Sequence, residues 1–161
     1  MKTLIKNGLV VDPANLVQTH LNLLLEDGKI VAVTEEELEA DRVIDAAGKV
    51  VAPGFIDIHM HEDPVKDDKI QFCIFDAMLR MGVTTAVGGN CGINVYDPVK
   101  YLDLLERDGA PVNVMMFAGH QYYREAAGAL DKYSPVTEEQ RKMMKKGLEE
   151  ALEAGCVGIS Y

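Results

Sequence analysis

Val50-Val51-Ala52-Pro53-Gly54-Phe55-Ile56-Asp57-Ile58-His59-Met60-His61 is the most telling run in this chain. An apolar, β-type segment passes a Pro-Gly step and ends in two histidines at i and i+2. Strand side chains alternate faces, so His59 and His61 project to the same side. Two imidazoles at the C-terminal end of a strand can share one metal ion. A zinc-type centre that activates water for hydrolysis is the chemistry this pairing suggests. The competing reading is a pair of hydrogen-bonded strand-end histidines.

Downstream, strand-like and helix-like segments alternate. Phe55–His59 reads as a strand, and Ile70–Met81 as a helix, because Ile70, Ile74 and Met78 recur every four residues beside Phe75 and Leu79. Val83–Val87 is a short buried strand running into Gly88-Gly89-Asn90-Cys91-Gly92. Pro98–Arg107 is a helix stopped at Asp108-Gly109, and Val112–Phe117 a strand ending in Ala118-Gly119-His120. Thr137–Ala154 is a long amphipathic helix with Thr137 and Gln140 in capping-box positions; Cys156–Tyr161 begins another strand. Strands alternating with helices imply βαβ units and a parallel sheet, either a (β/α)₈ barrel or an open doubly wound sheet. Both place function at strand C-termini, where His59, His61, Cys91 and His120 fall.

Upstream, residues 1–52 have a different texture. Thr3–Val11, Leu21–Glu26 and Lys29–Val33 are strand-like, with Asp27-Gly28 as a hairpin signal. Arg42–Asp45 and Lys49–Val51 add extended runs, so this region reads as a small antiparallel β-unit. The expected division is 1–52 as this small β-unit and 53–161 as a parallel-sheet region holding about four strands. A complete barrel takes roughly 250 residues, and half a barrel leaves open sheet edges. The chain therefore reads as the N-terminal portion of a larger enzyme.

Composition narrows the function classes. With 161 residues and 48% hydrophobic content, one ordinary core is available. A net charge of -10 argues against a nucleic-acid partner. No apolar run nears the roughly 20 residues that span a bilayer, and Met1–Asn7 has no secretory pattern. Cys73, Cys91 and Cys156 suggest no disulfide framework. The expectation is a soluble cytoplasmic protein with no membrane partner, for which a homo-oligomer is an allowed assembly.

Among chemistry-bearing residues, Cys91 sits in a glycine-rich loop where a soft thiolate suits zinc; a small buried thiol or a nucleophile are the alternatives. His120, at a third strand end, suits substrate contact, oxyanion stabilisation or a structural hydrogen bond. Arg124 could meet a substrate carboxylate or simply be solvated. Packing is the expected use of Cys73 and Cys156, and a surface turn the expected place of His20. Met143, Met144, Leu148 and Leu152 read as the core face of the long helix.

Pro53-Gly54-Phe55-Ile56-Asp57-Ile58-His59-Met60-His61 resembles the first metal-binding strand of the amidohydrolase superfamily. Gly82-Val83-Thr84-Thr85 through Gly89-Asn90-Cys91-Gly92, then Gly119-His120 and Gly155–Ser160, narrow the resemblance to the N-acyl-D-amino-acid deacylases, or D-aminoacylases. The resemblance covers essentially the whole chain. It implies a metal-dependent (β/α)₈ barrel preceded by a small β-sandwich segment, with 1–52 as that segment and 53–161 as the first half of the barrel, strands one to four. One or two zinc ions would be held by His59, His61 and Cys91, the cysteine standing where other amidohydrolases use a carboxylated lysine. The substrate would be a small N-acylated amino acid whose amide bond is hydrolysed. Later histidines and a catalytic aspartate are expected beyond Tyr161, and the isolated chain is expected to be inactive. Glu62-Asp63-Pro64 departs from the paired acids usual after the histidine motif. Rival readings are a cyclic-amide hydrolase of the dihydroorotase or hydantoinase kind and a non-catalytic metal-binding module.

Overall fold

The computed structural model describes residues 1–161 as two compact units, Met1–Pro53 and Gly54–Tyr161. The first is built on β1 (Lys2–Asp12), β2 (Val17–Glu26), β3 (Lys29–Thr34), β4 (Arg42–Asp45) and β5 (Val50–Val51). Asp27 and Gly28 both take positive φ, 49° and 78°, the geometry of the primed two-residue turn that matches strand twist. The hairpin expected there is formed, with β2 and β3 antiparallel.

The sheet is mixed rather than antiparallel. β1 pairs antiparallel with β2 but parallel with both β4 and β5. The cause is the 35–41 connection, which returns the chain to the start of β1. There Asp41 N–H donates to Lys2 O at 3.1 Å and Lys2 N–H to Asp41 Oδ2 at 2.7 Å, so β4 sets off beside β1 in the same direction. Leu4, Val10, Leu23, Leu24 and Ala46 are the buried apolar residues of this unit. His20 lies exposed within β2, opposite Leu9, rather than in a turn.

The second unit carries a parallel sheet of β6 (Phe55–Asp57), β9 (Val83–Gly88), β10 (Asn113–Gly119) and β11 (Gly158–Ser160). Their spatial order, β11-β10-β9-β6, is their chain order. A doubly wound sheet reverses order at a switch point, whereas a barrel adds each strand beside its predecessor. The barrel reading is therefore the one this topology follows.

Helices α1 (Ile74–Arg80), α2 (Pro98–Asp108), α3 (His120–Ala126) and α4 (Glu138–Glu153) connect these strands. Phe75, Tyr101 and Met116 are 0–1% exposed at the centre of the core; burying side chains of this size contributes about 2 kcal/mol each. The capping box of α4 forms as its sequence indicates, Gln140 N–H donating to Thr137 Oγ1 at 3.2 Å and Thr137 N–H to Gln140 Oε1 at 2.9 Å. On α4, Met144 is buried and Leu148 half-buried, but Met143 and Leu152 are exposed, so the apolar face is narrower than its residues suggested.

Helix α1 starts four residues later than its periodicity predicts. Asp67 and Asp68, both at positive φ, turn the chain between β7 (Val65–Lys66) and β8 (Lys69–Ile70), which takes Ile70 into a strand. Fully buried Asp63 then fixes the helix start. Its Oδ1 accepts from Cys73 N–H at 3.1 Å and Ile74 N–H at 2.7 Å, its Oδ2 from Phe75 N–H at 3.0 Å. These are the orphan donors of a helix N-terminus. Burial alone would push the Asp63 carboxyl up, but the Cys73 thiol and the three amides outweigh it and hold it below the usual carboxylate range.

Candidate metal centre

The strand β6 ends at Asp57, earlier than predicted, yet its alternation continues. Met60 N–H still donates to Val87 O at 3.3 Å, and Asp57 Oδ1 accepts from His59 N–H at 3.0 Å. Met60 and Glu62 turn into the core, while His59 and His61 stay exposed with ring centroids 6.3 Å apart. The pair thus shares a side, as period two requires.

Cys91 approaches from the end of β9. Three residues of its loop take left-handed backbone: Gly89 at φ 73°, Cys91 at 57° and Gly92 at 72°. Glycine adopts this freely, whereas a residue with a Cβ is strained there by about 1 kcal/mol. A Cβ at Gly89 would run into Phe117 O, so that position is closed to other residues. The loop is anchored by Asn90, whose Nδ2 donates to Val87 O at 2.7 Å and Met60 O at 3.3 Å. Gly92 O accepts from Gln121 N–H at 2.8 Å and Tyr122 N–H at 3.2 Å.

The outcome is a cluster. His59 Nε2 lies 3.2 Å from Cys91 Sγ, and donor atoms of His59, His61 and Cys91 all fall within 4.8 Å of one another. Tetrahedral zinc holds a nitrogen and a sulfur ligand about 3.5 Å apart, so this donor set fits the ion. All three residues are exposed, which leaves the cluster open to solvent.

His120 caps β10 as the first residue of α3, half-buried, with its ring 5.3 Å from that of Tyr161. It borders an apolar cleft with Met144, Leu148, Leu152 and Ile159. Arg124, read from sequence as a substrate contact, has its guanidinium engaged elsewhere: Nη2 donates to Asp131 O at 2.7 Å and Ser134 O at 3.1 Å, tying down the 131–134 loop. Cys156 packs in the core as expected, burial pushing its thiol up to about 11. Cys73 does not: it is exposed, its Sγ donating to Asp63 Oδ1 at 2.9 Å.

Sequence reasoning missed the polar residues behind the cluster. Buried Asn94 donates through Nδ2 to Glu62 Oε1 at 2.9 Å and to Phe117 O at 3.1 Å, and accepts from Gly119 N–H at 2.7 Å. It joins the residue after His61 to the end of β10. Its only signal in sequence is position, three residues past Cys91.

Residues 42–161 match the model of the amidohydrolase family. The chain belongs to that family. An N-acyl-D-glutamate deacylase of Alcaligenes xylosoxydans xylosoxydans is 31% identical over 97% of this chain and 36% of its own length. The solved N-acyl-D-glutamate deacylase of Bordetella bronchiseptica, complexed with zinc and a phosphonate mimic of the tetrahedral intermediate, superposes with a TM-score of 0.80 at 30% identity, over 98% of this chain and 37% of that one. A D-aminoacylase structure, described with a binuclear metal centre, gives 0.83 at 29% identity with the same coverage. A dihydroorotase of Elusimicrobium minutum is 43% identical over 88 residues, 53% of this chain and 20% of its own length. The amidohydrolase chain thus spans little more than a third of the deacylases it matches. Its fold is the N-terminal part of their metal-dependent (β/α)₈ barrel with the preceding β-rich segment. No helix is long and apolar enough to cross a membrane.

Proposed function

We propose that this chain supplies the first metal-binding half of a zinc-dependent hydrolase acting on the amide bond of N-acyl-D-amino acids. The convergence of His59 Nε2, Cys91 Sγ and His61 within 4.8 Å, at the C-terminal rim of a parallel sheet, carries the reading. Residues 54–161 would contribute the first four strands of the barrel. One zinc ion would sit on these three side chains, and a second ion would need further donors. When bound, zinc polarises the scissile carbonyl and activates water.

The protein's own part follows from the donors. His59 faces Cys91 through Nε2, so it would offer that nitrogen to the ion, and Cys91 would bind as the thiolate. His120, on the same rim, would contact the substrate beside Tyr161. The similarity to deacylases over 97% of the chain favours an N-acylated amino acid; the shorter match to a dihydroorotase supports a cyclic amide as the second reading. Three donors are too few for the complete chemistry, so the 161 residues alone should show no turnover.

His59→Ala, His61→Ala and Cys91→Ser should each lower zinc affinity more than about 100-fold, beyond the usual effect of outer-shell changes. Unchanged zinc binding in all three, measured by chelator competition, rejects the centre. Zinc-loaded full-length protein should release free amino acid from N-acetyl-D-amino acids. Hydrolysis of cyclic ureides instead would select the second reading, and turnover of neither would leave a metal-binding module.

A further inference from the structure

Ser160 stands at the end of β11, 69 residues after the thiol it serves. Its Oγ donates to Gly89 O and accepts from Gly92 N–H at 3.0 Å. The two partners bracket Cys91, one two residues before it and the other directly after. A hydroxyl offers one donor and can accept as well, and here both capacities are spent on this one loop.

We infer that Ser160 is a positioning residue for the Cys91 ligand, an inference that rests on the metal reading above. A loop with three left-handed residues, two of them glycine, has little preference of its own for this shape. Asn90 fixes its first half against Met60 O and Val87 O, and α3 fixes Gly92 O. Neither contact spans Cys91, and a backbone bond that does, Ile93 N–H to Asn90 O at 3.1 Å, lies within the loop itself. The Ser160 hydroxyl ties the backbone on both sides of Cys91 to β11, thereby setting where Sγ lies relative to His59 Nε2. Gly89 and Gly92 are both buried, so removing the hydroxyl deprives a buried carbonyl and a buried amide of their partner together. The loop must then rearrange or hold unpaired groups, and a thiol that has moved binds metal less well. The fourth strand of the sheet in this way acts on a ligand delivered by the second.

The test uses the purified full-length protein. Zinc affinity is measured by chelator competition, and the loop is followed by amide hydrogen exchange of the metal-free form, for wild type, Ser160→Ala, Ser160→Thr and Cys91→Ser. Ser160→Ala should weaken zinc about 10-fold and speed exchange in residues 89–92, while Ser160→Thr, which keeps the hydroxyl, restores both. Wild-type affinity in Ser160→Ala, with affinity lost in Cys91→Ser, overturns this inference and leaves the metal centre standing. Equal losses in the alanine and threonine variants with unchanged exchange at 89–92 also overturn it. Wild-type affinity in Cys91→Ser overturns the metal reading itself. Should Ser160→Ala not fold, exchange at Gly92 in the wild-type metal-free protein decides: protection there is required, and free exchange is fatal.

Discussion

Cys91 occupies a backbone region that suits glycine better than cysteine, and the other two loop residues there, Gly89 and Gly92, are glycines. The thiol is kept at a conformational cost, a pattern typical of functional positions. Cys91→Gly should therefore raise the stability of the metal-free protein by about 1 kcal/mol while abolishing tight zinc binding; denaturant unfolding and chelator competition measure the two effects. The three thiols should also separate by reactivity at pH 8, since thiolate is the attacking species. Burial raises the Cys156 thiol, and its hydrogen bond to the Asp63 carboxylate raises that of Cys73. Both changes reduce the thiolate fraction at that pH. Mass spectrometry after iodoacetamide should find Cys91 modified first, Cys156 only on unfolding, and Cys91 spared when zinc is present.

Among elements, α1 shows how a buried side chain outside a helix can set its start. Asp63→Ala removes the acceptor of three backbone donors and should cost about 3 kcal/mol, while Asp63→Asn, which keeps an acceptor oxygen, should cost about half of that. Equilibrium denaturation that finds either change neutral would show that α1 is capped by other means. The histidine pair and the capping box were legible because each is a short-range pattern, at spacings of two and three residues. Cys91 stood out because its glycines stand beside it in the chain. Asp63 with α1, Asn94 with Glu62 and β10, and Ser160 with the Cys91 loop join groups 10 to 71 residues apart, a separation at which local pattern is silent. The tie of Arg124 to the 131–134 loop was hidden for the same reason, since its partners are backbone carbonyls that no side-chain motif announces.

Over the whole molecule, the proposed zinc donors His59, His61 and Cys91 come from two strand ends, so zinc should brace the second unit against opening. At a free concentration 100-fold above its dissociation constant, zinc should stabilise by about 2.7 kcal/mol, and a chelator should reverse the gain. Hydrogen exchange should slow around residues 59–63 and 89–94; protection gained elsewhere but not there would place the ion at another site. The alternation of strands and helices was readable from periodicity, whereas the parallel course of β4 along β1 depended on where the 35–41 connection delivers the chain.

The agreement between spatial and chain order in β6, β9, β10 and β11 also bears on biosynthesis. During translation each new strand meets a neighbour that has already left the ribosome, so the sheet can grow at one margin without waiting for a distant partner. His59 and His61 emerge first, the thiol next, and the serine that secures it last.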